Sequence, residues 1–222
     1  MIRSPLSSNL NRYLEYTQLS ATLTYDEVDQ MVVNAQKYDF VGVCVPPFWV
    51  KKVNRDLGDA DIQLVTVVGF PMGYQMTETK MQEMQLAIQN GANELDMVMN
   101  LSAFKSGMPW VKIEVAKCAS LAHEHGCLLK VIIETAYLTD NEIITACKLC
   151  ADAGADFVKT STGFANAGAS IHHVHLMRSV LPSNVGIKAS GGIKTAQQAI
   201  DLIEAGADRI GTSRAIEILG RK

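Results

Sequence analysis

The hydrophobic pattern along the chain alternates between two periods. Short runs that are apolar almost throughout, such as Phe40-Val41-Gly42-Val43-Cys44-Val45 and Gln63-Leu64-Val65-Thr66-Val67-Val68, are separated by longer stretches of amphipathic character. The first kind reads as strands buried on both faces, the second as helices covering them. Strands are predicted at 40–45, 63–70, 94–99, 128–134, 156–161, 185–190 and 209–212, with a weaker first strand at 13–17. Helices are predicted at 25–38, from Pro46-Pro47 to 57, and at 77–90, 109–125, 141–153, 171–181 and 195–205, with a short one at the C-terminal end. Thr24 and Glu27 form a capping box for the first of them. Gly91, Gly154 and Gly206 each stand before an alanine, where a left-handed residue would close the preceding helix.

Strand–helix alternation of this kind means a parallel sheet under helices. Eight units in 222 residues predict an α/β fold of one domain, a single TIM (β/α)8 barrel spanning 1–222, with 1–12 as a peripheral lead-in. An open doubly wound sheet is the runner-up. No Gly-x-Gly-x-x-Gly follows the first strands, so a dinucleotide site has no support.

The strands carry polar residues on one face only. In Glu94-Leu95-Asp96-Met97-Val98-Met99-Asn100, the face of Leu95, Met97 and Met99 opposes that of Glu94, Asp96 and Asn100. The same alternation sets Lys130 and Glu134 apart from Val131 and Ile133, and Lys188 apart from Ile187 and Ala189. In a barrel the apolar face meets the helices and the mixed face meets the axis. Asp96, Lys130, Glu134, Lys159 and Lys188 are therefore expected inside. One buried ion pair, such as Lys130 with Glu134, would be structural and weakly stabilising. Five inward charges on neighbouring strands favour a site.

Lys159 and Lys188 fall on adjacent predicted strands. Two close ammonium groups disfavour each other, so one loses its proton more easily. A neutral lysine in a partly dry pocket attacks a carbonyl and forms a Schiff base. Asp96 could then move protons at the carbon beside the imine. The protonated imine is its own electron sink, so no metal or other cofactor is expected. The loops after the last three strands, Thr162-Gly163-Phe164, Ser190-Gly191-Gly192 and Gly211-Thr212-Ser213-Arg214, suit an anion through their backbone amides. In barrels, phosphate often sits at the loops after the seventh and eighth strands.

Composition narrows this picture further. The chain is 48% hydrophobic and 19% charged, with a formal net charge of -3. That balance provides no basic field for nucleic acid or anionic lipid. No apolar run is long enough to span a membrane, and no secretory signal is expected at Met1 to Leu6. The five cysteines are odd in number and form no disulfide framework, so a reduced, cytoplasmic protein is expected. Cys147 and Cys150 have C-x-x-C spacing but lie within a predicted helix, where they read as packing residues. His172, His173 and His175 sit at a helix start and are not read as metal ligands. Trp49, Trp110, Met76, Met81 and Met84 read as packing residues.

The segments Glu94 to Asn100, Lys130-Val131-Ile132-Ile133-Glu134-Thr135, Phe157-Val158-Lys159-Thr160-Ser161-Thr162-Gly163-Phe164 and Gly186-Ile187-Lys188-Ala189-Ser190-Gly191-Gly192-Ile193 resemble the deoxyribose-phosphate aldolases. The resemblance runs from about Asp26 onward. It implies a metal-independent class I aldolase on a TIM barrel, cleaving 2-deoxy-D-ribose 5-phosphate reversibly to D-glyceraldehyde 3-phosphate and acetaldehyde. It makes Lys159 the Schiff-base lysine, Lys188 the second lysine that depresses its pKa, and Asp96 the proton donor and acceptor. Thr17, Cys44, Thr162, Gly163, Gly191, Gly192, Ser213 and the amide of Arg214 become substrate and phosphate contacts. Cys44 reads equally well as a small core residue.

The chain departs from the family in Glu15-Tyr16-Thr17-Gln18-Leu19-Ser20-Ala21, which keeps only Thr17 and Leu19 of the usual first-strand motif. Pro46 stands where Asn is frequent, and Arg214 where a second Ser is. The chain ends at Lys222 without a tyrosine-bearing tail. These departures bear on substrate preference. A Schiff-base aldolase for another phosphorylated sugar, or a barrel that binds phosphosugars without turnover, are the competing readings. The expected partners are a phosphorylated sugar and an aldehyde, with a homodimer left open.

Overall fold

The computed structural model describes residues 9–220, so residues 1–8 of the expected lead-in lie outside the described residues. Eight parallel strands close into a barrel in sequence order: β1 (Leu14–Thr17), β2 (Gly42–Val45), β3 (Gln63–Val68), β4 (Glu94–Val98), β5 (Leu128–Ile132), β6 (Phe157–Lys159), β7 (Gly186–Ser190) and β8 (Arg209–Thr212). β8 pairs with β1, setting Leu14 opposite Ile210, and this closure removes the open-sheet alternative. Around the barrel run α1 (Tyr25–Tyr38), α2 (Val50–Leu57), α3 (Thr77–Gln89), α4 (Leu101–Lys105), α5 (Trp110–Glu124), α6 (Asp140–Asp152), α7 (Ile171–Val180), α8 (Ala196–Glu204) and α9 (Ala215–Ile218).

Local sequence accounts for most of these boundaries. Capping boxes open α1 at Thr24 and Glu27, α6 at Thr139 and Glu142, and α8 at Thr195 and Gln198. Gly91, Gly154 and Gly206 follow α3, α6 and α8 with φ of 105°, 90° and 113°, a left-handed turn that a side chain would strain. The short helix α4 was not foreseen. Asn100 caps it, accepting a hydrogen bond from the Ala103 amide at 3.0 Å.

The main core lies between barrel and helices. Leu95, Met97, Leu129, Val131, Val158, Ile187 and Ile210 point outward and meet helix residues such as Val32, Val115, Ile143 and Leu202. The barrel interior is divided. On β2 and β3 it is apolar, with Cys44, Val65 and Val67 packed together. On the remaining strands it is charged. The wall of helices includes Cys147 and Cys150, buried in α6 with no disulfide, and all five cysteines are free.

Two expectations about packing are corrected. Met84 is buried and Met81 packs against the core, but Met76 is 73% exposed because it lies before the first turn of α3. Trp110 begins α5 and is 63% exposed, whereas Trp49 does pack against the core. Leu10, inside the expected lead-in, is buried.

The capping box of α6 offers a direct test. Thr139 accepts from the Glu142 amide while Glu142 accepts from the Thr139 amide at 2.8 Å. Thr139→Ala should lower the unfolding free energy by about 1 kcal/mol, measured from urea denaturation midpoints at constant slope.

Candidate active site

Asp96 lies at the centre of the barrel interior. It is fully buried on β4, and three lysines converge on it. Its Oδ1 accepts from Lys130 Nζ of β5 at 3.0 Å. Its Oδ2 accepts from Lys159 Nζ of β6 at 2.8 Å and from Lys188 Nζ of β7 at 2.7 Å. The sheet register places these groups: Asp96 stands opposite Lys130, and Lys159 opposite Lys188. Gly211 on β8 leaves room for this packing, since a Cβ there would lie 3.0 Å from Lys188 Cε.

A second layer holds the first. Lys188 also pairs with Glu15 of β1. Lys130 meets Glu94 at 2.5 Å and Glu15 at 3.6 Å. Arg209, the first residue of β8, reaches Glu15 at 3.6 Å and Glu94 at 3.5 Å. Glu15, Glu94 and Arg209 were not among the residues singled out from sequence. Glu15 was legible as a polar residue on the weak first strand, on the same alternation that exposed Asp96.

These contacts push the titrations apart. Burial acts against the Asp96 charge, but Lys130, Lys159 and Lys188 together hold its pKa well below the usual carboxylate range. Glu15 is likewise lowered, by Lys130 and Lys188 against burial. Burial pulls Lys188 down, yet Asp96 and Glu15 outweigh it and its pKa rises. Lys159 goes the other way. Burial lowers it first, Lys188 lowers it further, and Asp96 only partly opposes them. The Cys44 thiol is pushed up to about 11 by burial, so it stays protonated at neutral pH.

The Lys130–Glu134 ion pair, the purely structural alternative to a site, does not form; Lys130 pairs with Glu15, Glu94 and Asp96. Glu134 lies beyond the end of β5 in a left-handed conformation, φ 47°, where strand alternation no longer sets its direction. It accepts instead from the amide of Thr162 at 3.0 Å and from the Thr162 hydroxyl. Thr162 Oγ1 in turn accepts from the Phe164 amide at 3.1 Å. Glu134 therefore fixes the loop that follows Lys159.

Above Lys159 the barrel opens into a cavity of about 340 Å³. Thr17, Thr162, Gly163, Gly191, Gly192, Ser213 and Arg214 all line it, together with Lys159 itself. Asp96, Lys188 and Cys44 do not; they lie buried beneath. The loops after β6 and β7 come very close, with the Ala169 amide donating to Ser190 and Gly191 carbonyls at 3.0 and 3.2 Å. A Cβ on Gly168 would fall 2.0 Å from the Gly191 oxygen, so this approach requires glycine. The Arg214 amide donates to Thr212 Oγ1 at 3.0 Å, and Arg214 is among the residues that line the cavity. Lys194 also lines the cavity and was missed. Its signal was present as a cation immediately before the Thr195 helix cap. Arg214 and Lys194 give the mouth two positive side chains suited to a phosphorylated compound.

Fold and site thus define a TIM-barrel protein with a pKa-depressed lysine at the floor of its cavity, backed by a shared carboxylate and flanked by glycine loops. The sequence matches the DeoC/LacD family aldolase over residues 15–219. It is 49% identical over 211 residues to the deoxyribose-phosphate aldolase of Aciduliprofundum boonei, covering 95% of each chain. It is 45% identical over 212 residues to that of Brevibacillus brevis, again with 95% of each covered. The tetrameric deoxyribose phosphate aldolase of Aeropyrum pernix superposes with a TM-score of 0.88 at 34% identity, covering 96% of this chain and 91% of that one. The chain belongs to the DeoC/LacD aldolase family.

The buried carboxylates also set the acid stability. Because Glu15 and Asp96 are held below their ordinary values, their contribution is complete above roughly pH 4–5 and is lost as pH falls towards the folded values. Urea midpoints should fall between about pH 5 and pH 3, and the fall should be shallower in Glu15→Gln. Equal slopes in the two proteins would mean that Glu15 takes up no extra proton on unfolding.

Proposed function

We propose that this chain cleaves 2-deoxy-D-ribose 5-phosphate reversibly to D-glyceraldehyde 3-phosphate and acetaldehyde, through an imine on Lys159. The observation that carries the reading is the arrangement of Lys159, 2% exposed at the cavity floor, sharing Asp96 Oδ2 with Lys188. Family membership supports the same chemistry, and relatives named deoxyribose-phosphate aldolase support the choice of substrate.

The steps follow from the site. Neutral Lys159 Nζ adds to the C1 aldehyde, and loss of water leaves a protonated imine. The C3 hydroxyl then gives up its proton and the C2–C3 bond breaks. Its electron pair moves into the imine, forming an enamine and releasing glyceraldehyde 3-phosphate. Protonation at C2 and hydrolysis free acetaldehyde and restore Lys159. Asp96 accepts and returns the protons, being hydrogen-bonded to both lysines. Lys188 stays charged against Asp96 and Glu15 and so favours the uncharged form of its neighbour.

The phosphate sits against the loops bearing Gly163, Gly191, Gly192 and Ser213, with Lys194 and Arg214 supplying positive charge. Thr17 faces the same cavity and contacts the sugar. Cys44 acts as a packing residue below the site. Five free, buried cysteines suit a reducing compartment, and the cytoplasm is the setting this reading implies. Among the described residues no helix is long and apolar enough to cross a membrane.

Borohydride reduction in the presence of acetaldehyde, followed by digestion and mass spectrometry, should label Lys159, and deoxyribose 5-phosphate should label the same residue. Label from neither compound would sink the proposal. Lys159→Met should lose activity by on the order of 10⁴-fold or more while remaining folded. A separate effect is expected at the mouth. Lys194→Gln should raise KM for deoxyribose 5-phosphate about tenfold, with acetaldehyde trapping at Lys159 unchanged.

A further inference from the structure

Beneath Lys159 the barrel axis holds a connected set of charges whose count is uneven. Among the described residues, the carboxylates Glu15, Glu94 and Asp96 face the bases Lys130, Lys159, Lys188 and Arg209. Arg209 has 17% of its side chain exposed, and the others 2% or less. Uncompensated charge is costly in such an interior. The set is neutral only when one of the four bases has released its proton.

Connectivity decides which base that is. A guanidinium does not deprotonate. Lys130 meets all three carboxylates and Lys188 meets two. Lys159 meets Asp96 alone. Other strands bring nothing that alters the count: β2 brings the protonated Cys44, and β3 the apolar Val65 and Val67. At the mouth, Lys194 and Arg214 line the cavity over Lys159, and Glu134 stands behind Thr162.

We propose that Arg209 and Glu94, which touch neither Lys159 nor the cavity, are positioning residues that set the protonation of Lys159 through this charge count. Arg209 supplies the surplus positive charge that keeps Lys159 neutral, and Glu94 limits that surplus. The inference rests on the reading of Lys159 as the nucleophile. It predicts opposite effects from two remote substitutions. Removing the Arg209 charge lets Lys159 hold its proton, so its pKa rises. Removing the Glu94 charge enlarges the surplus, so it falls. β8 and β4 each lie two strands from β6. At about 10 Å and an effective dielectric of about 20, each charge should move Lys159 by about 1 pH unit.

Arg209→Met, Glu94→Gln and the charge-conserving Arg209→Lys test this together. Two pH titrations are run on each protein: borohydride trapping of acetaldehyde at Lys159, and substrate-free acetylation of Lys159 by trace acetic anhydride. Arg209→Met should move both midpoints up, Glu94→Gln should move both down, and Arg209→Lys should match the parent. Shifts under about 0.2 unit, shifts of the same sign, or an Arg209→Lys midpoint that follows Arg209→Met would overturn the proposal. If Arg209→Met fails to fold by circular dichroism, Arg209→Gln replaces it, and Glu94→Gln still reports. Absence of acetaldehyde trapping in the parent, with opposed anhydride shifts intact, would remove the imine reading while the charge coupling stands.

Discussion

The structure depends on one shared carboxylate. Asp96 sits at the barrel axis with three lysines on its two oxygens, each from a different strand. Close packing of three lysines around one carboxylate is stable because Glu15 and Glu94 take up part of the charge from below. The geometry also determines the function. The lysine with the fewest carboxylate partners is the one nearest the cavity, so the group most easily deprotonated is also the group that substrate can reach.

Barrel architecture makes this arrangement affordable to the fold. The apolar core lies outside the strands, between them and the helices. Stability therefore comes chiefly from a layer that the site does not disturb. The interior can then be divided, with Cys44, Val65 and Val67 forming a dry wall on one side and the charges occupying the other. The dry wall keeps the effective dielectric low where the lysines compete for Asp96, which magnifies their influence on one another.

At the mouth the requirements differ. A phosphorylated substrate needs exposed amides and cations that water can reach before binding. The loops after β6, β7 and β8 meet this with glycines held close together and with Lys194 and Arg214 at the rim. Glu134 links the two zones. Its backbone is left-handed, and its carboxylate holds Thr162, three residues beyond Lys159. A residue that alternation alone assigned to the interior thus serves the loop.

Much of this was legible in the sequence, for physical reasons particular to the residues. Apolar runs between amphipathic stretches specified eight strand–helix units, because parallel strands are buried on both faces. Thr24 with Glu27, and the glycines before Ala92, Ala155 and Ala207, marked helix ends through local hydrogen bonds and backbone conformation alone. Period-two alternation put Asp96, Lys130, Lys159 and Lys188 on one face, since strand geometry leaves no other choice. Partnership was not legible. Lys130 chose Glu94, Asp96 and Glu15 over Glu134 because strand register and closure of β8 onto β1 bring residues far apart in sequence to one axis. Arg209 and Glu15 entered the network for the same reason, and Met76 and Trp110 left the core because their helices start at the surface. The sequence by itself determined most of the elements and which way the side chains within the strands faced, properties set within a few residues. Only the tertiary structure decided which charges meet, because pairing depends on the closure and stagger of the whole barrel.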